Sequence, residues 1–405
     1  MSTKATSLCL LCRGAKGLCG KHACPVFDLW RVIESPPIPC ASVLEGSSPP
    51  SVFVGRVGYP RVRIAPAAPP ETGDTSVYDT PERWLELTLR DVLKMRLSLV
   101  RGVTAVDVRK TQGLQELQLL ALSQRPVDLE LRFEKPPKAS VKLDAFAPPM
   151  GPAAPVEKLK LLGESKPLPP LEKAFYDIDF KAGEAILYLY KSGVPVSVIQ
   201  RALSVGALGT GKLRRLVPTR WSITAVDDTV SKHLVACVKK LKTLNHYLYF
   251  ERRHYHNTFV AIIAPGSWSY EWIEAWFPHT TWNPGARVEV EGDWEGYHGR
   301  STYASLGGCY YAARLAAAEY LMKEKFQGVV ILIREIYEGF FLPIGVWFVR
   351  ENVRALFKSR PERFETLREV VEHLGKATRL PLSVWFNKST LLKMLIRQER
   401  LEAWL

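Results

Sequence analysis

The chain has 405 residues, 47% of them hydrophobic, with a formal charge of +14 and a pI near 9.4. This is enough apolar chain for two cored domains plus appendages, and the positive balance makes polyanions candidate partners without identifying one. No apolar run reaches transmembrane length, so the expectation is a soluble cytoplasmic protein with no membrane partner, nucleoid-associated if its polyanion is DNA. Five Asn and seven Gln stand against 55 Lys and Arg, a depletion that suits a heat-adapted organism.

The N-terminus carries Cys9, Cys12, Cys19 and Cys24 in a C-x2-C-x6-C-x4-C pattern. Two thiolates two residues apart grip one face of a tetrahedral zinc, and the second pair closes the site. Gly14, Gly17 and Gly20 supply the backbone freedom so small a loop needs. A disulfide or a redox C-x-x-C is the competing reading. No secretory signal precedes these residues, and only three other cysteines follow, which favours structural zinc in a reducing compartment. His22 is an alternative fourth ligand to Cys24. Arg13, Lys16 and Lys21 surround the loop and are candidate phosphate contacts.

A Pro/Ser-rich connector, 35–50, leads to two short strands around a glycine turn in 52–64. Thr80-Pro81-Glu82 reads as an N-cap and first turn of a helix running through Trp84, Leu85, Leu87 and Leu89. Strands are expected at 103–108 and 127–133. Nine prolines in 136–170 read as an extended loop or linker without regular structure. Two short helices follow, joined at Gly193. They match a helix-turn-helix with Gln200 and Arg201 as contacts, although an ordinary αα-corner is the commoner explanation.

The segment from Gly206 to Leu213 fits G-x-x-x-x-G-K and then fails as a P-loop, because Leu213 replaces the magnesium-binding hydroxyl. Lys212, Arg214 and Arg215 remain phosphate-binding candidates. In the polar string 217–228, Asp227 or Asp228 is expected to cap a helix carrying Val230, Leu234 and Val238. Arg220, Asp227 and Asp228 stand equally as functional candidates.

Trp268, Trp272 and Trp276, four apart, are expected on one helical face. Residues 287–295 alternate as a strand, with Glu289, Glu291, Asp293 and Glu295 on an acidic face that is either solvated or a cation or acid–base site. His298 and Arg300 follow among glycines and aromatics able to enclose a nucleotide. A helix is expected over 311–325, buried strands over 329–333 and 340–349, and a helix over 363–374. The chain ends with Gln398, Leu401, Trp404 and Leu405 spaced to project from one side of a helical turn. This looks like the box by which replication and repair proteins hang on the sliding clamp (PCNA), with Leu405 in place of the usual second aromatic. The plainer reading is an amphipathic helix end.

The cysteine pattern followed by Pro25, the string 217–228 and the terminal box together resemble the archaeal Nre proteins, associated with DNA repair, over essentially the whole chain. The resemblance implies zinc-associated DNA repair with recruitment by the clamp, and transfers no catalytic mechanism. The expected architecture is α+β (mixed α/β) with no recognised superfold. It divides into a zinc-binding element and connector (1–40), an N-terminal domain (41–265), a C-terminal domain (266–390) and a helical tail (391–405). The expected function is a DNA repair factor with zinc, DNA and the sliding clamp as partners. The alternative is a nucleotide-dependent or DNA-processing enzyme that gathers Arg220, Asp227, Glu291, Asp293, His298 and Arg300 into one cleft.

Overall fold

The computed structural model describes residues 42–138, 140–340 and 342–402, apart from the side chains of 399–402. The expected zinc ligands Cys9, Cys12, Cys19 and Cys24, with Arg13, Lys16 and Lys21, lie outside the described residues, as do Trp404 and Leu405. The described chain divides into two compact units between Val230 and Ser231. Each unit is built on a six-stranded mixed sheet accompanied by helices, the α+β class expected. The boundary expected at 265/266 is thus displaced, because the two strands before it pair within the second sheet.

The first unit contains β1 (Val43–Ser48), β2 (Ser51–Val54), β3 (Arg61–Ala68), α1 (Leu89–Ser98), β4 (Val100–Asp107), α2 (Gln115–Leu122), β5 (Val127–Phe133), β6 (Ala153–Leu161), α3 (Pro169–Tyr176), α4 (Ala182–Lys191) and α5 (Val196–Ser204), and it begins α6 (Thr219–Val238). Its sheet runs β1-β5-β6-β4-β3-β2. In β5 the residues Val127, Leu129, Leu131 and Phe133 are buried, while Asp128 and Arg132 are exposed, so one face meets the core. The proline-rich stretch contains β6, contrary to expectation. Pro155 stands where β6 leaves β4, and its carbonyl accepts the Glu134 N–H at 3.1 Å. A missing donor is tolerated where a ladder ends.

The helix expected at Thr80 is a short 3-10 turn, Pro81–Glu86. The α-helix starts later, at Leu89, where the Thr88 hydroxyl accepts the Asp91 N–H at 3.2 Å. The pair α4–α5 is an internal corner rather than a DNA reader. Arg201 donates to the carbonyl of Ala121 at 2.6 Å, and Gln200 is buried.

Asp227 caps no helix. α6 starts eight residues earlier, and Asp227 lies in its interior with no exposure, accepting from the Gln200 amide at 2.9 Å. Ser222, Ile223, Val226, Asp227, Val230 and Ser231 are all buried, which is helical spacing once polar residues are allowed to face inward.

From Ser231 on, the second unit adds β7 (Tyr247–His254), β8 (Asn257–Ala264), β9 (Ser269–Trp276), β10 (Glu289–Glu295), α7 (Gly308–Glu324), β11 (Val329–Ile336), α8 (Trp347–Leu356), β12 (Glu362–Phe364), α9 (Leu367–Ala377), α10 (Leu382–Lys388) and α11 (Thr390–Glu402). The sheet order is β10-β9-β11-β8-β7-β12, parallel only between β9 and β11. Trp272 and Trp276 are buried in β9 and Trp268 just before it, rather than on a helix, since a four-residue step also keeps one face of an extended chain. Residues 347–349, expected in a strand, open α8.

Both faces of this sheet are covered. Ile262, Ile273, Ile331 and Ile333 pack with Leu367, Val370 and Leu374 of α9, Trp385 of α10, and Leu391, Leu392 and Leu395 of α11. On the other face, Phe250 meets Tyr320 of α7 at 5.4 Å, and Phe259 meets Phe348 of α8 at 6.1 Å.

His254, at the end of β7, stacks on Phe348 at 5.7 Å. Burial, followed by the Arg252 charge, pushes its imidazole down to about 4. The folded value lies below the unfolded one of about 6.5, so the folded state binds fewer protons between them. Stability is therefore full above about pH 6.5 and is lost as pH falls towards 4, by about 1–2 kcal/mol after allowance for solvent screening. Denaturant unfolding at pH 7.5 and 4.5 should show this loss, and His254→Phe should remove it. An unchanged pH profile in the variant would assign the loss to other groups.

Candidate nucleic-acid interface

The second unit has a cleft of about 390 Å³ between the C-terminal part of α6, the end of β10 and the middle of α7. α6 contributes Lys232, Val235 and Ala236, and Lys239 and Lys240 follow its last turn. These steps of three and four residues place one stripe along a helix. Lys239 and Lys240 also stand where the helix dipole favours cations.

Across the cleft, β10 ends at Glu295 and turns through Gly296, Tyr297, His298 and Gly299. The Gly299 N–H donates to the Gly296 carbonyl at 2.9 Å, and Gly299 has φ +79, a left-handed conformation that favours glycine. This tight turn carries Tyr297 and His298. The Tyr297 ring is 43% exposed, and the Lys239 ammonium stands 4.9 Å from its centroid.

Below the rim lies a buried polar network. Arg314 of α7 donates through Nη1 to Glu295 Oε2 at 2.7 Å and through Nε to Ser231 Oγ at 3.1 Å. The side chains of Arg314 and Glu295 are each 2% exposed. The Tyr310 hydroxyl donates to the same Glu295 oxygen at 3.1 Å, and burial, then the Glu295 charge, drive its own ionisation well upward.

Arg300 donates through Nη2 to Asp293 Oδ2 and through Nε to the Thr302 carbonyl, at 2.9 and 2.7 Å. Burial opposes its charge, but the bond with Asp293 and the contact with Tyr310, whose ring centroid lies 4.8 Å from the guanidinium, prevail and raise its pKa. Burial would raise the Asp293 carboxyl. The Arg300 guanidinium and the Ser305 N–H, at 2.8 Å, outweigh it and hold the carboxyl below the usual range. Five side-chain cations thus line the cleft, with the carboxylate of Glu295 among them and that of Asp293 adjoining. Such a surface attracts phosphates and offers no unpaired carboxylate for acid–base work.

The structure brings His298 and Arg300 to this cleft, with Asp293 held behind Arg300. Glu291 does not line it and stands opposite Glu274 in the β9–β10 register. Arg220 and Asp227 belong to the first unit. There the Arg220 guanidinium lies 3.8 Å from the Phe146 ring centroid, and Asp227 is sealed in the core, while Asp228 is half-buried. Full burial removes Asp227 from any open cleft, so the expected gathering of these side chains does not occur.

Arg214 is a staple rather than a phosphate ligand, because its guanidinium donates to the carbonyls of Gly209, Phe175, Ala174 and Asp177 at 2.5–3.2 Å. The loop amides of Gly206, Ala207, Gly211 and Leu213 donate to the carbonyls of Leu203, Ala202, Ile178 and Thr210. No phosphate nest is left among them. Lys212 and Arg215 are exposed beside this staple. Among the described residues, no group of three or more His, Cys, Asp or Glu could hold a metal ion. Gln398 is exposed on α11, and the Leu401 side chain lies outside the described residues.

Sequence reasoning passed over Lys232, Lys239, Lys240 and Arg314 as site residues, and it placed Tyr297 in the nucleotide-enclosing segment and Glu295 on the acidic strand face without singling either out. The lysines had a readable signal, since they fall opposite Val230, Leu234 and Val238 on the expected helix. The Arg314–Glu295 pair had none, because its partners are 19 residues apart on different elements.

Two family models match the chain, described as "Archaeal Nre, N-terminal" over residues 18–283 and "Archaeal Nre, C-terminal" over residues 295–404. The chain is 46% identical to a protein named DNA repair protein NreB of Archaeoglobus fulgidus, covering 95% of this chain and 97% of that one. It is 37% identical to DNA repair protein NreA of the same organism, covering 88% and 90%. It is 35% identical to DNA repair protein NreA of Haloferax volcanii, covering 86% of each. No solved structure matches the chain. No helix among the described residues is long and apolar enough to cross a membrane. With two models spanning most of its length and three relatives above 30% identity, the chain belongs to the archaeal Nre family.

Proposed function

We propose that this protein is a DNA repair factor that binds DNA phosphates through the basic cleft of its second unit and is held at DNA by the sliding clamp through its C-terminal box. The cleft carries the reading: five cations converge on one concave surface, with an aromatic ring at its rim. The names of the relatives, all DNA repair proteins, support the same role. The N-terminal cysteines are assigned a structural zinc on their spacing.

The clamp proposal gains support from how α11 is mounted. Its first half is anchored by Leu391, Leu392 and Leu395 in the core. The buried Glu271 carboxylate of β9 accepts the N–H of Thr390 at 2.7 Å and of Leu391 at 3.1 Å, together with the Ser389 hydroxyl. A carboxylate so placed caps the helix and favours its N-terminal dipole. The anchored half therefore presents the following turns, with Gln398 exposed, from a fixed base.

Calorimetric titration of the purified clamp with the full chain, beside a variant lacking residues 398–405, tests this part. Binding is expected with the full chain and none with the truncation. Equal binding by both, or by neither, would reject the box as the attachment.

A further inference from the structure

The dimensions of the cleft restrict what enters it, and the inference from them rests on the DNA-binding reading above. At about 390 Å³ the cleft has the size of a small-ligand pocket. It is too small to admit a duplex, whose grooves alone are roughly 6–12 Å wide. One nucleotide is the unit of nucleic acid that fits.

Two features bear on which nucleotide. The first is that the cleft's positive charge is concentrated on few side chains, with Lys239, Lys240 and Arg300 on its lining. An internal phosphodiester carries one negative charge, whereas a terminal phosphate carries about 1.5–2 and three acceptor oxygens. The second feature is Arg300. Its Nε and Nη2 are fixed by Thr302 and Asp293, while its Nη1 is buried without a hydrogen-bond partner. A buried guanidinium N–H left unpaired is costly, and a phosphate oxygen is its natural acceptor. Tyr297, exposed at the rim beside Lys239, offers a face on which a base can stack without regard to sequence.

We infer that the cleft takes a single nucleotide bearing a terminal phosphate, with the phosphate held by Arg300, Lys239 and Lys240 and the base against Tyr297. That chemistry has two sources, a free mononucleotide or the phosphorylated end of a DNA single strand.

The test is fluorescence anisotropy with the full-length protein and short single strands of one sequence, ending in 5′-phosphate, 3′-phosphate or hydroxyl. Competition by dAMP and by deoxyadenosine is measured in parallel. A phosphorylated end should bind about 10-fold more tightly than the hydroxyl end, the worth of one charge-assisted contact set. Lys240→Ala and Tyr297→Ala, both at exposed positions, should reduce that preference several-fold without altering the unfolding midpoint. Competition by dAMP but not deoxyadenosine supports the pocket.

Strong, salt-sensitive binding that ignores the terminal phosphate would overturn the pocket and leave the DNA-binding reading intact. Binding of dAMP with no affinity for any strand would support the pocket, with the free nucleotide as its source, and reject the DNA reading. If neither nucleotide nor strand binds, both are overturned.

Discussion

Arg314→Leu should cost about 3–5 kcal/mol of stability, because it strips the partner from a buried carboxylate. Glu295 is as deeply buried as Arg314 and keeps only the Tyr310 hydroxyl once the guanidinium is gone. Ser231 loses its guanidinium contact as well. The double variant Arg314→Leu/Glu295→Leu should recover most of the loss, since apolar side chains of similar volume often replace a buried pair without net cost. Arg368→Ala is the control, breaking an exposed pair with Glu372 one helical turn away on α9. Thermal unfolding followed by the fluorescence of the buried β9 tryptophans reports on this unit. If Arg314→Leu melts like the control, the pair contributes no more than a surface bridge.

The sequence exposes those parts of the fold that follow local rules. β5 and β10 show period-two alternation, α4 and α5 show apolar faces that meet at a glycine, and α7 opens on a glycine pair, so these elements fall close to where they were expected. The failures share one cause, side chains whose tertiary partners override local appearance. Asp227 reads as a cap because an acid is not expected inside a helix; Gln200, 27 residues earlier, makes that burial tolerable. Arg214 reads as a phosphate ligand because four carbonyl partners cannot be foreseen from its neighbours. The prolines around β6 read as a linker because strand pairing with β4 and β5 is nonlocal. Half of the candidate site follows the same division. His298 and Arg300 stand out among glycines and aromatics in one short segment. The lysines are legible too, opposite Val230, Leu234 and Val238 on the expected helix, whereas the Arg314–Glu295 pair joins elements 19 residues apart and is not.

Replacing Lys232, Lys239 and Lys240 together by Glu should weaken DNA binding by about 100-fold or more at low salt and flatten its salt dependence. Each phosphate contact contributes about 0.7–0.9 to the slope of log affinity against log salt, so losing three lowers that slope by roughly 2–3. The unfolding midpoint of the triple variant is measured in parallel, so that a loss of affinity is separated from a loss of fold. The informative control is Lys325→Glu/Lys358→Glu/Lys376→Glu, an equal change in net charge at exposed positions outside the cleft lining. Long-range attraction depends on total charge and is screened beyond about 10 Å at 0.1 M salt, whereas counterion release requires contact. A chain that merely carries a large positive charge would lose the same affinity from either set. A chain that holds DNA in this cleft loses affinity and salt slope from the first set and keeps its slope with the second.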